Sequence, residues 1–107
     1  IRGGELERVG LGVRLAPDTV AKRSYRAQGA MVQEVVPGFG AAAAGLRSME
    51  GTTFDDIVAI ADQPVRDAND VFEILSERVA GEVVPVEVLR GGERRRFEVK
   101  LQPLNPR

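Results

Sequence analysis

The sequence predicts an α+β domain with a small, mostly antiparallel sheet. Three observations lead there. Short β-rich runs recur: "LGVRL", "AMVQEVV", "DIVAIADQPV" and the two halves of "VVPVEVLRGGERRRFEVKL". Turn residues punctuate them at Pro37-Gly38, at Pro64 and at Gly91-Gly92. Two segments carry helix signals instead: an alanine run ended by Gly45, and "DANDVFEILSERVAG" ended by Gly81. The sum is about five strands and two or three helices.

Residues 1–8 are polar and glycine-rich and read as a linker or entry arm. Residues 9–103 read as the domain and 104–107 as a tail. "LGVRL" alternates apolar and polar, the period of a half-buried strand. Asp18, after Pro17, suits the cap of a short helix over Thr19–Tyr25. "AMVQEVV" is a strand that stops at Pro37-Gly38. Gly40–Ala44 is a short helix whose small side chains permit close packing on a sheet. "RSMEGTTFDD" lacks periodicity and reads as a loop: a lid, a contact to a neighbouring domain, or a mobile segment. "DIVAIADQPV" is a buried strand entering a tight turn at Ala61–Pro64, where Asp62 must adopt the left-handed conformation. Asp67 or Asn69 caps the long helix, which runs to Gly81. The last two runs form a hairpin over Gly91-Gly92, which supply positive φ. Pro85 has no N–H and is expected at an edge or a strand start.

Composition narrows the chemistry. The chain has 107 residues, no Cys and no His. That removes disulfides, thiolate nucleophiles, the usual zinc ligands and any Ser-His-Asp triad within this chain. No catalytic residue, metal site or cofactor is expected. The net charge of −1 gives no reason to expect nucleic acid. No apolar run is long enough to insert in a membrane. Arg94-Arg95-Arg96 is bracketed by Glu93 and Glu98 and reads as a solvated hairpin. The chain starts at Ile1 and reads as a piece of a longer protein.

That leaves the glycines of "RVGLGVRL". A phosphate loop needs further glycines and a following helix, and both are missing. An ordinary turn into a strand explains one glycine. An anion nest explains both: backbone N–H groups converge on a carboxylate, and the strand leaving the turn pairs with an extended peptide. "GLGV", residues 10–13, resembles the carboxylate-binding loop of PDZ domains, G-Φ-G-Φ. "GAMVQEVVPGFGAAAAGL", "DDIVAIADQPV", "DVFEIL" and "VPVEVLRGGERRRFEVKLQP" follow in the order found in PDZ domains of HtrA/Deg-type serine proteases. There are departures: Gly40 stands where the family usually has proline, and the Leu46–Asp56 link is longer.

The resemblance implies a PDZ-like small antiparallel β-sandwich or partial barrel of five to six strands with two helices, in the circularly permuted, protease-type topology. It implies a carboxylate-binding loop at Gly10, Leu11, Gly12 and Val13. The peptide groove would lie between Leu15 on the strand and Asp70, Ile74 and Glu77 on the long helix. Val71 and Leu75 would then face the core; a register one residue along puts Val71 in the place of Asp70. The implied partners are C-terminal or unfolded polypeptide segments and a parent protease domain, in a homo-oligomeric parent. The implied compartment is extracytoplasmic in a bacterium or the plastid lumen. A docking module with a closed or self-occupied groove, in another membrane- or secretion-associated protease, is the alternative. Gly12→Val is expected to spare the fold and abolish binding.

Overall fold

The computed structural model describes residues 9–103. The expected linker and tail lie outside the described residues. In chain order the elements are β1 (Val9–Gly10), β2 (Val13–Leu15), α1 (Asp18–Ser24), β3 (Ala30–Val35) and α2 (Gly40–Ala44). Then come β4 (Asp55–Ile60), β5 (Gln63–Pro64), α3 (Ala68–Leu75), β6 (Val83–Arg90), β7 (Glu93–Lys100) and β8 (Gln102–Pro103). The main sheet is antiparallel, in the order β2-β3-β4-β6-β7, with β5 paired to β4. β1 and β8 form a separate ribbon that joins the two ends of the described chain.

Alternation builds the core. Along β6, Val84, Val86 and Val88 point inward and are buried. Ile57, Ile60, Val32, Val99 and Leu101 join them, and α3 adds Val71, Ile74 and Leu75. α2 lies on the C-terminal part of β7 because Gly40 has no Cβ; a Cβ there would stand 2.0 Å from the Lys100 carbonyl. A second cluster of Ala16, Ala21, Ala27 and Met31 seats α1, closed by Tyr25 and Phe54 in edge-to-face contact at 5.7 Å.

The hairpin turns follow sequence chemistry. Gly91 and Gly92 both have positive φ, as do Ala61 and Asp62 in the β4–β5 turn. Pro85 departs from expectation: it sits inside β6, a central strand. Its carbonyl accepts from Ala61 N–H, just past the end of β4. A strand residue turns its N–H and C=O to the same neighbour. The missing N–H therefore falls where the β4–β6 ladder has already ended, and no ladder bond is lost.

Two helix ends also differ. Asp18 does not cap α1; its side chain accepts from Ala68 N–H at the start of α3. α3 stops at Leu75, not Gly81. Glu77 N–H and Arg78 N–H donate three residues back, so the chain tightens out of the α-helix. Ser76 Oγ also donates to the Glu73 carbonyl. Glu77 and Val79 consequently lie beyond the helix.

Adjacent buried aspartates tie the loops to the sheet. Asp56 accepts Gln28 N–H at 2.7 Å and Gly29 N–H at 2.9 Å, fixing the entry to β3. Asp55 takes a two-pronged pair with Arg90 (Nε–Oδ1 2.6 Å, Nη2–Oδ2 2.9 Å) and also accepts Arg47 N–H. Arg90 donates onward to the Gly45 carbonyl and stacks on Phe97. The loop after α2 runs along β3: Met49 N–H donates to the Gln33 carbonyl, and Val35 N–H donates to Ser48 Oγ. It covers the half of β3 that β4 does not reach, so its first residues close a sheet.

Asp55→Ala strands the half-buried Arg90 guanidinium without its partner. Breaking a buried pair costs roughly 3–5 kcal/mol. Urea unfolding followed by circular dichroism is expected to show a loss of that size.

Candidate binding groove

β2 is an edge strand. Val36 N–H donates to the Gly12 carbonyl and Ala16 N–H to the Met31 carbonyl. The main chain of Arg14 and Ala16 thus turns toward β3, as does the carbonyl of Gly12, which lies before the strand, and Val13 and Leu15 turn their main chain to the open edge. Opposite that edge lies α3. Between them runs a groove of about 520 Å³. One end is the Gly10–Val13 loop; the other is Pro17, Asp18 and Ala68.

The loop is held from behind. Gly12 has φ +86°, and a Cβ on it would stand 2.0 Å from Phe39 Cβ. Phe39, the residue before α2, therefore packs on the Gly12 backbone. Ala41 N–H, in the first turn of α2, donates to the Leu11 carbonyl. With both loop carbonyls bound behind, the N–H groups of Leu11 and Gly12 have no acceptor among the described residues. Buried main-chain donors in that condition want an acceptor. Val13 and Leu15 are half-buried and rest on the core, while Arg14 points off the other face and pairs with Glu34 at 3.6 Å. The β2–β3 register slips between Arg14 and Leu15, leaving Gln33 as the extra residue of a bulge.

On α3 the groove wall is Ala68, Val71, Phe72 and Leu75. That spacing, i, i+3, i+4, i+7, is one helix face. Asp67 caps the start of the helix, its side chain accepting from Asp70 N–H at 2.9 Å. Val71 and Leu75 also belong to the core, so they form the groove floor. Phe72 is 63% exposed and forms the rim.

Asp70, Ile74 and Glu77 do not line this groove. They border a separate hollow of about 300 Å³ with Gln63, Pro64, Arg66 and Glu73. The reason is helical phase: position 70 stands about 200° round the helix from position 68, and Glu77 is past its end. Arg66 N–H and side chain both donate to the Asp70 carboxylate, and the main-chain bond chiefly holds its pKa below the usual 3.8. The Gly10, Leu11, Gly12, Val13, Leu15 and Val71 positions do come together on one groove. Sequence reasoning missed Ala68, Phe72, Leu75 and Asp18 as lining residues. The i, i+3, i+4, i+7 stripe 68-71-72-75 is present in the sequence, but which face of the helix turns to β2 is a tertiary contact.

Comparison with known proteins places this geometry in a family. Residues 9–101 match the PDZ domain family, and the chain belongs to it. Its curated relatives are HtrA/Deg-type proteases. It is 30% identical to "Protease Do-like 1, chloroplastic" of Arabidopsis thaliana over 109 residues, and 32% identical to "Protease Do-like 8, chloroplastic" over 108 residues. Those alignments take in 96% and 95% of this chain, but only 25% and 24% of the relatives. The chain thus spans about a quarter of the length of the curated relatives it matches. Among solved structures, the HtrA-type protease AlgW with tripeptide has the same fold, with a TM-score of 0.75 and 24% identity over 97% of this chain and 34% of that one. No described helix is long and apolar enough to cross a membrane.

Two outcomes test the site's construction. Gly12→Val must force a left-handed backbone and collide with Phe39, so it is expected to destabilise the fold by about 2–4 kcal/mol. The expectation that it spares the fold is thereby corrected, and thermal unfolding reads the loss. For Asp70, a pKa lowered by folding gives stability that is full above the unfolded value and is lost as pH falls through the folded one. Asp70→Asn is therefore expected to be less stable than the unmutated chain at neutral pH. The gap closes as the pH drops below the ordinary 3.8 in a pH series of denaturant melts.

Proposed function

We propose that residues 9–103 form a peptide-binding module that captures the free carboxyl end of an extended polypeptide. The observation that carries this reading is the edge of β2, unpaired among the described residues, beside the loop whose Leu11 and Gly12 N–H groups lack acceptors among those same residues. The terminal carboxylate would take those N–H groups and that of Val13. The ligand strand would pair with Val13 and Leu15, antiparallel to β2, as β-augmentation requires. Its terminal side chain would enter the apolar pocket of Leu11, Val13, Val71, Phe72 and Leu75, which favours an apolar residue. Gly10 would give the loop its close approach.

In a parent protein of the HtrA/Deg type, the module would recruit unfolded substrate to a serine protease domain or regulate it. The parent would be homo-oligomeric and extracytoplasmic or plastidic. Support comes from the two chloroplastic Do-like protease relatives, and from the fold shared with AlgW, which was solved with tripeptide and with decapeptide. A docking module with a self-occupied groove predicts no response to added peptide.

The test is a nuclear magnetic resonance titration with a hexapeptide that ends in a free valine. Expected are micromolar affinity, near −8 kcal/mol on the ~1 µM scale, and shifts confined to residues 10–18 and 68–75. Amidating the peptide's end is expected to weaken binding at least about tenfold, the loss of one charge-assisted contact. Phe72→Ala, at an exposed position, is expected to keep the fold and weaken binding about five- to tenfold. Absent or scattered shifts reject the reading.

A further inference from the structure

Asp18 is the one acidic side chain among the described residues that line the groove. It stands at the end away from the Gly10–Val13 loop, half-buried beside apolar wall. Its Oδ1 accepts Ala68 N–H at 3.1 Å, which fixes the carboxylate between the starts of α1 and α3. None of the described ion pairs includes it, and Oδ2 has no partner among the described residues. The cations nearby are engaged. Lys22, one turn further along α1, donates to the Gly29 carbonyl at 3.2 Å and to the Arg66 carbonyl. The Arg66 guanidinium lies 3.4 Å from Asp70, on the other side of α3. A half-buried carboxylate with one free oxygen favours a cationic partner over a neutral one.

We propose that Asp18 makes the groove selective for peptides with lysine or arginine two or three residues before the terminal residue. The proposal rests on the peptide-groove reading above. Strand pairing sets the position. A terminal residue opposite Val13 puts the second residue before it opposite Leu15, and the third opposite Ala16. Pro17 follows with no N–H, and the Ala16 N–H is already given to Met31. Pairing therefore ends there, so these are the last two ligand positions held beside Asp18; the second residue before the end shares the terminal side chain's face, and the third, where pairing stops, is the next along toward Asp18. Asp70, which the resemblance implied as a groove residue, lies in the hollow behind α3.

The test compares hexapeptides ending in a free valine that differ only in carrying Lys, Gln or Glu, two residues before the end in one set and three in the other. Affinities for the 107-residue chain are read by fluorescence anisotropy. In at least one set the lysine peptide is expected to bind about three- to fivefold tighter than the glutamine peptide, with glutamate weaker still. Asp18→Asn keeps an oxygen for Ala68 N–H, and its lysine-to-glutamate ratio is expected to collapse toward one. In the unmutated chain the ratio is expected to shrink between about 0.01 M and about 1 M salt, as the screening length falls from ~30 to ~3 Å; this readout stands even where the variant fails to fold. Equal binding of all three peptides in both sets overturns the assignment and leaves the groove reading intact. So does a ratio unmoved by Asp18→Asn or by salt. No saturable binding of any peptide overturns the groove reading, and the Asp18 assignment with it.

Discussion

The seating of Phe39 on the bare backbone of Gly12 is the contact on which the groove depends. With no Cβ at residue 12, the aromatic side chain reaches the loop from behind. Phe39 is also the residue from which α2 starts, so the same contact brings Ala41 N–H onto the Leu11 carbonyl. Once both loop carbonyls are used on that side, the loop's N–H groups are left for the groove. The left-handed φ at Gly12 turns the chain from the β1 ribbon into β2. One missing methyl group therefore sets the turn, the packing behind it and the donors in front.

The opposite end of the groove is built differently, with side chains on main chain. Asp18 holds the first N–H of α3, and Lys22 holds the carbonyl of Arg66 two residues earlier. These bonds brace α1 against α3 and so fix the spacing of α3 from β2 at that end. Asp55 and Asp56 do the same for the rest of the sheet, binding main-chain N–H groups at Arg47, Gln28 and Gly29. Short apolar segments with many glycines gain register from such bonds, because an unpaired buried carboxylate is costly in any other arrangement.

Much of the fold was legible in the chain. The Gly91-Gly92 hairpin, the Gly40–Ala44 helix with its Gly45 stop and the left-handed Asp62 are local chemistry, and the structure has each of them. Pro85 stands inside β6 and not at an edge because a proline's cost depends on which neighbour its nitrogen faces, and that depends on where β4 ends. The long helix ends before Gly81, although the segment is apolar enough to continue, because Ser76 and the three-residue bonds behind it close the last turn. Of the site, the strand side was readable by period 2. The helix side was not, because which face of α3 turns to β2 is set by packing between residues far apart in sequence.

By itself, the sequence determined the order of elements, the glycine loop before an apolar strand and the absence of any His or Cys chemistry. Those properties belong to residues and to their near neighbours along the chain. Tertiary structure alone decided which face of α3 meets β2, and that Asp18 rather than Asp70 borders the groove. It also decided that Gly12 makes room for Phe39. Each of these is a contact between residues far apart in sequence, and its geometry is fixed only when the sheet, α1 and α2 are packed together.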